Sequence, residues 1–120
     1  MLTEIDVGHP INNFDIAGDI CALSCMDSTI RVLDLKDGQV LSELKGKHHS
    51  SKYHSSIKFT ADKKRLVQAS EDAALVVYTI ETKEAELLRG HTMPVISLDI
   101  SGESIVSGSA DSAIKTWRLV

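Results

Sequence analysis

The chain has 120 residues, 42% of them apolar, and a formal net charge of −4. That allows one domain with enough apolar side chains for a core. It excludes the general basic field that phosphate backbones and anionic lipid select, so direct nucleic-acid or membrane binding is not expected. The longest apolar runs, such as residues 74–78, are far too short for a membrane span. Residues 1–6 are acidic and have no apolar stretch of the kind that makes a secretory leader. Cys21 and Cys25 are the only cysteines. They fall four apart in an expected strand, on one face but too far along it for an easy disulfide, and read as buried reduced thiols. Reduced thiols without a leader point to the cytoplasm or nucleus.

In chain order, short runs of β-branched and aliphatic residues alternate with turn residues, and no stretch holds helical periodicity for three turns. Residues 2–7 read as a first strand, followed by strands over 11–16 and 20–26. Then comes the run Asp27-Ser28-Thr29-Ile30-Arg31-Val32-Leu33-Asp34. Lys36-Asp37-Gly38 is a hairpin turn into a strand over 39–44. After the loop, the cycle returns with strands over 56–59 and 65–70, the run Asp72-Ala73-Ala74-Leu75-Val76-Val77-Tyr78, and a strand over 85–88. The last cycle holds strands over 94–100 and 104–109 and the run Asp111-Ser112-Ala113-Ile114-Lys115-Thr116-Trp117.

The three runs are copies of one pattern. Each puts an Asp in a turn, an aliphatic residue three places later and a large apolar residue six places later. Asp27, Asp72 and Asp111 are 45 and 39 residues apart, the period of a β-propeller blade. The fold class is therefore all-β: three antiparallel four-stranded blades over about 8–45, 46–89 and 90–120, in a single segment. Residues 2–7 serve as an outer strand out of phase with them. Rings of blades close with about four to eight members. Three blades would leave two apolar flanks open, so the chain is expected to be a fragment of a larger ring or to close by assembly. Two copies joined head to tail would give six blades, each 2–7 strand completing the other copy's last blade.

The third repeat carries the fullest chemistry. Gly90-His91 stands 20 residues before Asp111, Ser107 four before it and Trp117 six after it. These residues resemble the WD40 repeat family. The resemblance implies a structural network in which the turn Asp holds the His, and the His engages the strand hydroxyl and the Trp indole. A buried carboxylate and imidazole must be paired, and the pairing ties loop to turn. The same trio of Ser107, His91 and Asp111 could be written as a hydrolase relay, but the repeat places it inside the blade, away from solvent. The other repeats are degraded. The first keeps Gly8-His9 and Asp27 but has Leu23 and Leu33 at the hydroxyl and Trp positions. The second keeps Asp72, has Gln68 and Tyr78 there, and reads Gly46-Lys47-His48 in its loop, so that His48 can stand in for the usual His.

A finer resemblance rests on Ser28-Thr29-Ile30-Arg31-Val32-Leu33-Asp34, on Gly38, Leu41, Glu43, Lys45-Gly46 and Lys52-Tyr53, and on Ser70-Glu71-Asp72. These look like the late blades of the mitogen-activated protein kinase organiser family. That likeness implies a seven-bladed scaffold connected with kinase signalling complexes and the splicing machinery, and it carries over no binding residues.

The most unusual loop is Lys47-His48-His49-Ser50-Ser51-Lys52-Tyr53-His54. Three histidines in seven residues suggest a metal, yet no Cys or carboxylate lies nearby in sequence, and a solvated loop is the plainer reading. In a propeller the loop before the inner strand and the turn after the middle strand share one face. Met26, Lys47, His48, Lys52, Tyr53, Glu71, Arg89 and Met93 therefore form a candidate partner-binding face, whose Met, Tyr and Arg side chains are of types enriched at interface centres; the bland reading is ordinary loop side chains. Asp62-Lys63-Lys64-Arg65 and Glu81-Thr82-Lys83-Glu84 read as turns on the opposite face, serving solubility. No phosphate loop, cofactor motif or exposed nucleophile with a base is present. The leading function is a non-catalytic scaffold binding proteins or peptides through its loop face. The rivals are a half-propeller subunit that completes another ring or itself, and a metal-dependent hydrolase using the loop histidines.

Overall fold

A computed structural model describes residues 4–25, 29–45, 56–69 and 73–118. Eleven strands, and no helix, are found among the described residues. β1 (Ile11–Ala17), β2 (Ile20–Cys25), β3 (Thr29–Asp34) and β4 (Val40–Lys45) form one sheet in sequence order. β5 (Ile57–Phe59), β6 (Arg65–Ala69), β7 (Ala74–Thr79) and β8 (Glu84–Arg89) form the second. β9 (Val95–Ser101), β10 (Ser104–Ser109) and β11 (Ile114–Arg118) form the third. Every pairing is antiparallel and between consecutive strands. This is the meander of propeller blades.

Two-residue periodicity gives each sheet two usable faces. Ala22, Ile30, Val32 and Leu44 of the first sheet meet Ile57, Phe59, Leu66, Val76 and Tyr78 of the second in one core. The reverse face of the second, with Val67, Ala69, Leu75 and Val77, meets Val95, Leu98 and Ile105 of the third. The middle sheet is thus apolar on both sides, which explains the unbroken burial of β7 from Ala74 to Tyr78. A polar contact fixes the first junction as well: the Phe59 amide donates to Asp15 Oδ2 at 2.8 Å.

The turns fall at two ends. At one end the αL position is filled by Gly18, Lys63 and Gly102 between the first two strands of each sheet, and by Gly38 and Lys83 between the last two. At the other end Ala73 and Ser112, each following a repeat aspartate, take φ of 69° and 68°. Equivalent residues in successive copies adopt the same strained region, as structural repeats require.

The expected outer strand over 2–7 has no pairing partner among the described residues of this chain. Residues 4–7 belong to no strand, and residues 1–3 are outside the described set. Ile5 and Val7 pack instead on Cys21, Leu23, Cys25 and Leu33, the outer face of the first sheet. Alternating apolar residues secure that burial, but a strand also needs a partner ladder, and none of the described strands pairs with this segment.

Candidate functional site

The Asp111 turn links β10 to β11, and the loop 90–94 links β8 to β9, so both emerge at the same end of the third sheet. Asp111 Oδ1 accepts from the Ala113 amide at 2.9 Å, closing the turn on itself. Asp111 Oδ2 accepts from the Thr92 amide at 2.9 Å and lies 3.1 Å from His91 Nδ1. His91 Nε2 is 2.7 Å from Ser107 Oγ, and the Trp117 indole N–H donates to that oxygen at 2.8 Å. The bonds run in one direction: indole to hydroxyl, hydroxyl to imidazole, imidazole to carboxylate. That order places the imidazole proton on Nδ1. The reverse order would send the Ser107 proton to the Lys115 carbonyl, at a poorer 3.5 Å.

Burial makes these bonds matter. The His91 and Asp111 side chains are 1% and 9% exposed, and Ser107 is fully buried. The Thr92 amide above all, with the Ala113 amide and His91, holds the Asp111 carboxyl down at a pKa of about 2, against the opposing effect of burial. Gly90 explains its own place in the motif: a Cβ there would meet Trp117 Cη2 at 2.8 Å and Lys115 Cδ at 3.3 Å. Ser107 Oγ is enclosed and engaged by two partners, so it offers no approach to a substrate carbonyl. The geometry is that of a clasp rather than a relay.

A second tie runs beside the first. Ser109 Oγ lies 3.0 Å from both the Met93 and the Pro94 carbonyl oxygens, and the Asp111 amide donates back to it at 3.2 Å. The loop backbone is therefore held at Thr92, Met93 and Pro94, while the Met93 side chain stands 47% exposed. Arg89, at the end of β8 and in register with Ala74, is exposed at the same end. Met26, Lys47, His48, Lys52, Tyr53 and Glu71 of the expected face lie outside the described residues, as do the turn aspartates Asp27 and Asp72 and the loop histidines His49 and His54. Among the described residues no group of three or more His, Cys, Asp or Glu could hold a metal ion.

The degraded repeats solve the same position differently. The second and third sheets turn their hydroxyl-position faces toward the preceding sheet, and the first turns its own toward residues 5–7. In the first, Leu23 and Leu33 are buried with Cys21 and Cys25 under Ile5 and Val7; burial, then Asp15, pushes the Cys21 thiol up. In the second, Tyr78 O–H donates to Gln68 Oε1 at 3.4 Å, and Gln68 Nε2 donates to Ser24 Oγ of the first sheet at 2.9 Å. Burial pushes the Tyr78 phenol up as well. Sequence reasoning missed this bridge; its signal was the unusual Gln at a strand position otherwise occupied by small or apolar residues.

The family described as "WD domain, G-beta repeat" matches residues 82–118. The Set1 complex component swd2 of Schizosaccharomyces pombe is 30% identical over 113 residues, covering 89% of this chain and 30% of that protein. The apoptotic protease-activating factor 1 of Rattus norvegicus is 30% identical over 95 residues, covering 78% of this chain and 7% of that protein. The chain thus spans less than a third of the length of either relative. A solved structure titled "Structure of U3-55K" superposes with a TM-score of 0.78 at 16% identity, over 95% of this chain and 37% of that one, a likeness of fold. With its three repeated antiparallel sheets and the matched third repeat, the chain belongs to the WD40-repeat β-propeller family.

Proposed function

We propose that this chain is a non-catalytic WD40 scaffold segment that binds proteins or peptides through its loop face. The observation that carries the reading is the clasped loop 90–94, whose backbone is held by Asp111 and Ser109 while Met93 and Arg89 stand exposed beside it. A surface ordered before contact loses less entropy on binding. The similarity to a protein named as a complex component supports the same class. Kinase-signalling or splicing-associated complexes, in the cytoplasm or nucleus, are the setting implied by the likeness to the organiser family. The test is capture of partners by immobilised chain. An Arg89→Ala, Met93→Ala pair should weaken capture without changing the far-UV spectrum. Unchanged capture with that pair, and loss with Lys83→Ala at the opposite end, would overturn it.

A second reading is favoured by the two outer flanks. On one, Phe14 and Ile16 are 56% and 53% exposed. On the other, Ile114 and Val106 are 77% and 39% exposed. Exposed apolar sheet faces of this kind are covered by neighbouring blades in a closed ring. Those blades come from the same longer protein, from another propeller segment or from a second copy. Light scattering separates these: a dimer of about six blades supports self-assembly, and a stable monomer refutes it.

A further inference from the structure

The junction between the first two sheets is built from register positions whose counterparts stand open on the two outer flanks. At that junction Asp15 pairs with Ala22, and Ala22 with Val32, in one row across the first sheet. Ala22, Ile30 and Val32 share a core with Ile57 and Phe59, and Asp15 Oδ2 accepts from the Phe59 amide across the gap at 2.8 Å. In the third sheet the same row reads Asp99, Val106 and Thr116, with Ile114 paired to Gly108 as Ile30 is to Ser24. This row faces outward. Asp99 is exposed and Ile114 is 77% exposed. Asp99 Oδ1 accepts from the Ile100 amide, and Oδ2 makes no hydrogen bond among the described residues.

The outer flank of the first sheet carries the other half. Phe14 and Ile16 pair with Leu23 and Cys21 as Ile57 and Phe59 pair with Gln68 and Leu66. β1 and β5 are both edge strands, so the Ile16 amide takes the place that the Phe59 amide holds at the first junction. Phe14 and Ile16 are more than half exposed. The sizes also compensate: Phe14 is larger than its counterpart Ile57, and Gly108 is smaller than its counterpart Ser24. At Gly108 an open cleft of about 210 Å³, lined by Asp99, Val106 and Ile114, has room for an aromatic ring.

Residues 5–7 narrow the choice of occupant. At the first junction Leu44, from the fourth strand, shares the core with Leu66 and Tyr78. On the outer flank Ile5 and Val7 take that place over Cys21 and Leu33, which pair with each other as Leu66 and Tyr78 do. A sheet with its fourth strand present collides with residues 5–7, whereas a sheet that ends at its third strand meets Phe14 and Ile16 freely. The third sheet, with β11 at its edge, is of the second kind.

We propose that the Asp99 face of one copy docks on the Phe14–Ile16 face of a second copy, with Asp99 accepting from the partner's Ile16 amide, so that the contact repeats the first junction between chains. The proposal rests on the self-assembly reading above and supplies its surface. Joined head to tail, two copies make two such contacts and close.

The test is light scattering and sedimentation of the 120-residue chain over a range of concentrations. The chain should dimerise. Asp99→Ala should raise the dissociation constant about 25-fold to 100-fold, which is about fivefold to tenfold for each of two latches. Asp99→Asn, which keeps an acceptor, should lie between. Glu103→Ala, at an exposed carboxylate outside the flank, should change nothing. Phe14→Asp and Ile114→Lys should each give monomers with an unaltered far-UV spectrum. Mixed in equal amounts, those two variants should associate again, because one contact then joins intact halves and the other opposes unlike charges. An isologous contact gives no such rescue. Ile114 is the more exposed of the two, so its variant keeps the test decisive if Phe14→Asp fails to fold. A mixture that stays monomeric, or dimers indifferent to Asp99→Ala and Ile114→Lys, would overturn the docking surface and leave self-assembly by another route. A wild-type chain that is monomeric throughout overturns both.

Discussion

Ser107→Ala removes one oxygen and, by the geometry, strands two groups. The hydroxyl accepts from Trp117 Nε1 at 2.8 Å and donates to His91 Nε2 at 2.7 Å, at a fully buried site. A buried donor or acceptor left without a partner costs about 1–3 kcal/mol. The His91 side chain is 1% exposed, so it sits at the upper end of that range; Trp117 is only partly buried and sits at the lower. The expected loss is about 2–4 kcal/mol, against a total for a domain of this size of about 5–15 kcal/mol. The sharper measurement is a double-mutant cycle with Trp117→Phe, followed by urea denaturation and far-UV circular dichroism. Once Trp117 no longer offers an N–H, losing the hydroxyl strands one group instead of two. The double variant should therefore be more stable than the sum of the singles by about 1 kcal/mol. Additivity to within about 0.3 kcal/mol would refute the shared hydrogen-bond chain.

Gly90→Ala should destabilise by about 1–3 kcal/mol through overpacking, because its Cβ meets Trp117 Cη2 at 2.8 Å; a shift in the emission of Trp117, the only tryptophan, reports it, and an unmoved spectrum contradicts it. The Asp111 carboxyl has a folded-state pKa of about 2, below its ordinary 3.8. Its stabilisation is therefore present above the unfolded value and is lost as pH falls from about 4 to about 2. Asp111→Asn should flatten that acid limb in pH-dependent unfolding, and an unaltered limb would place the titration elsewhere. Gln68→Leu should cost about 1–2 kcal/mol by removing the acceptor of the buried Tyr78 phenol and the bond from Gln68 to the Ser24 hydroxyl, with part of the loss recovered in Gln68→Leu, Tyr78→Phe. No recovery in the chemical-denaturation midpoint would mean that the bond from Tyr78 to Gln68 carries no stability.

The strands were legible because their information is local. Alternation over β2, β6 and β10 and the Asp-led turns recur at one spacing, and a repeat read three times corrects its own errors. The clasp residues were legible for the same reason, since His91, Ser107, Asp111 and Trp117 fall at fixed offsets within one repeat. What was not legible depends on neighbours distant in sequence. The Gln68–Ser24 and Phe59–Asp15 bonds each join residues 44 apart. The segment at residues 4–7 shows strand-like alternation, yet its ladder depends on an edge that local pattern cannot specify.

The three sheets also differ in what their hydroxyl-position face does, and that difference has a functional direction. Leu23 and Leu33 give the first sheet apolar packing, which stabilises but does not orient a loop. Gln68 sends the second sheet's polar contact across to Ser24, tying sheet to sheet. In the third, Ser107 hands the contact to His91, and Asp111 passes it to the Thr92 amide of the loop itself. Among the described residues this chain of bonds ends on a loop backbone there and nowhere else. The same fold position thus serves core packing, sheet docking and loop ordering in turn. Loop ordering is the use that prepares a surface for a partner, so Met93 and Arg89 are where substitution should separate binding from folding. A variant of Ser107, which touches no solvent, should lose both together.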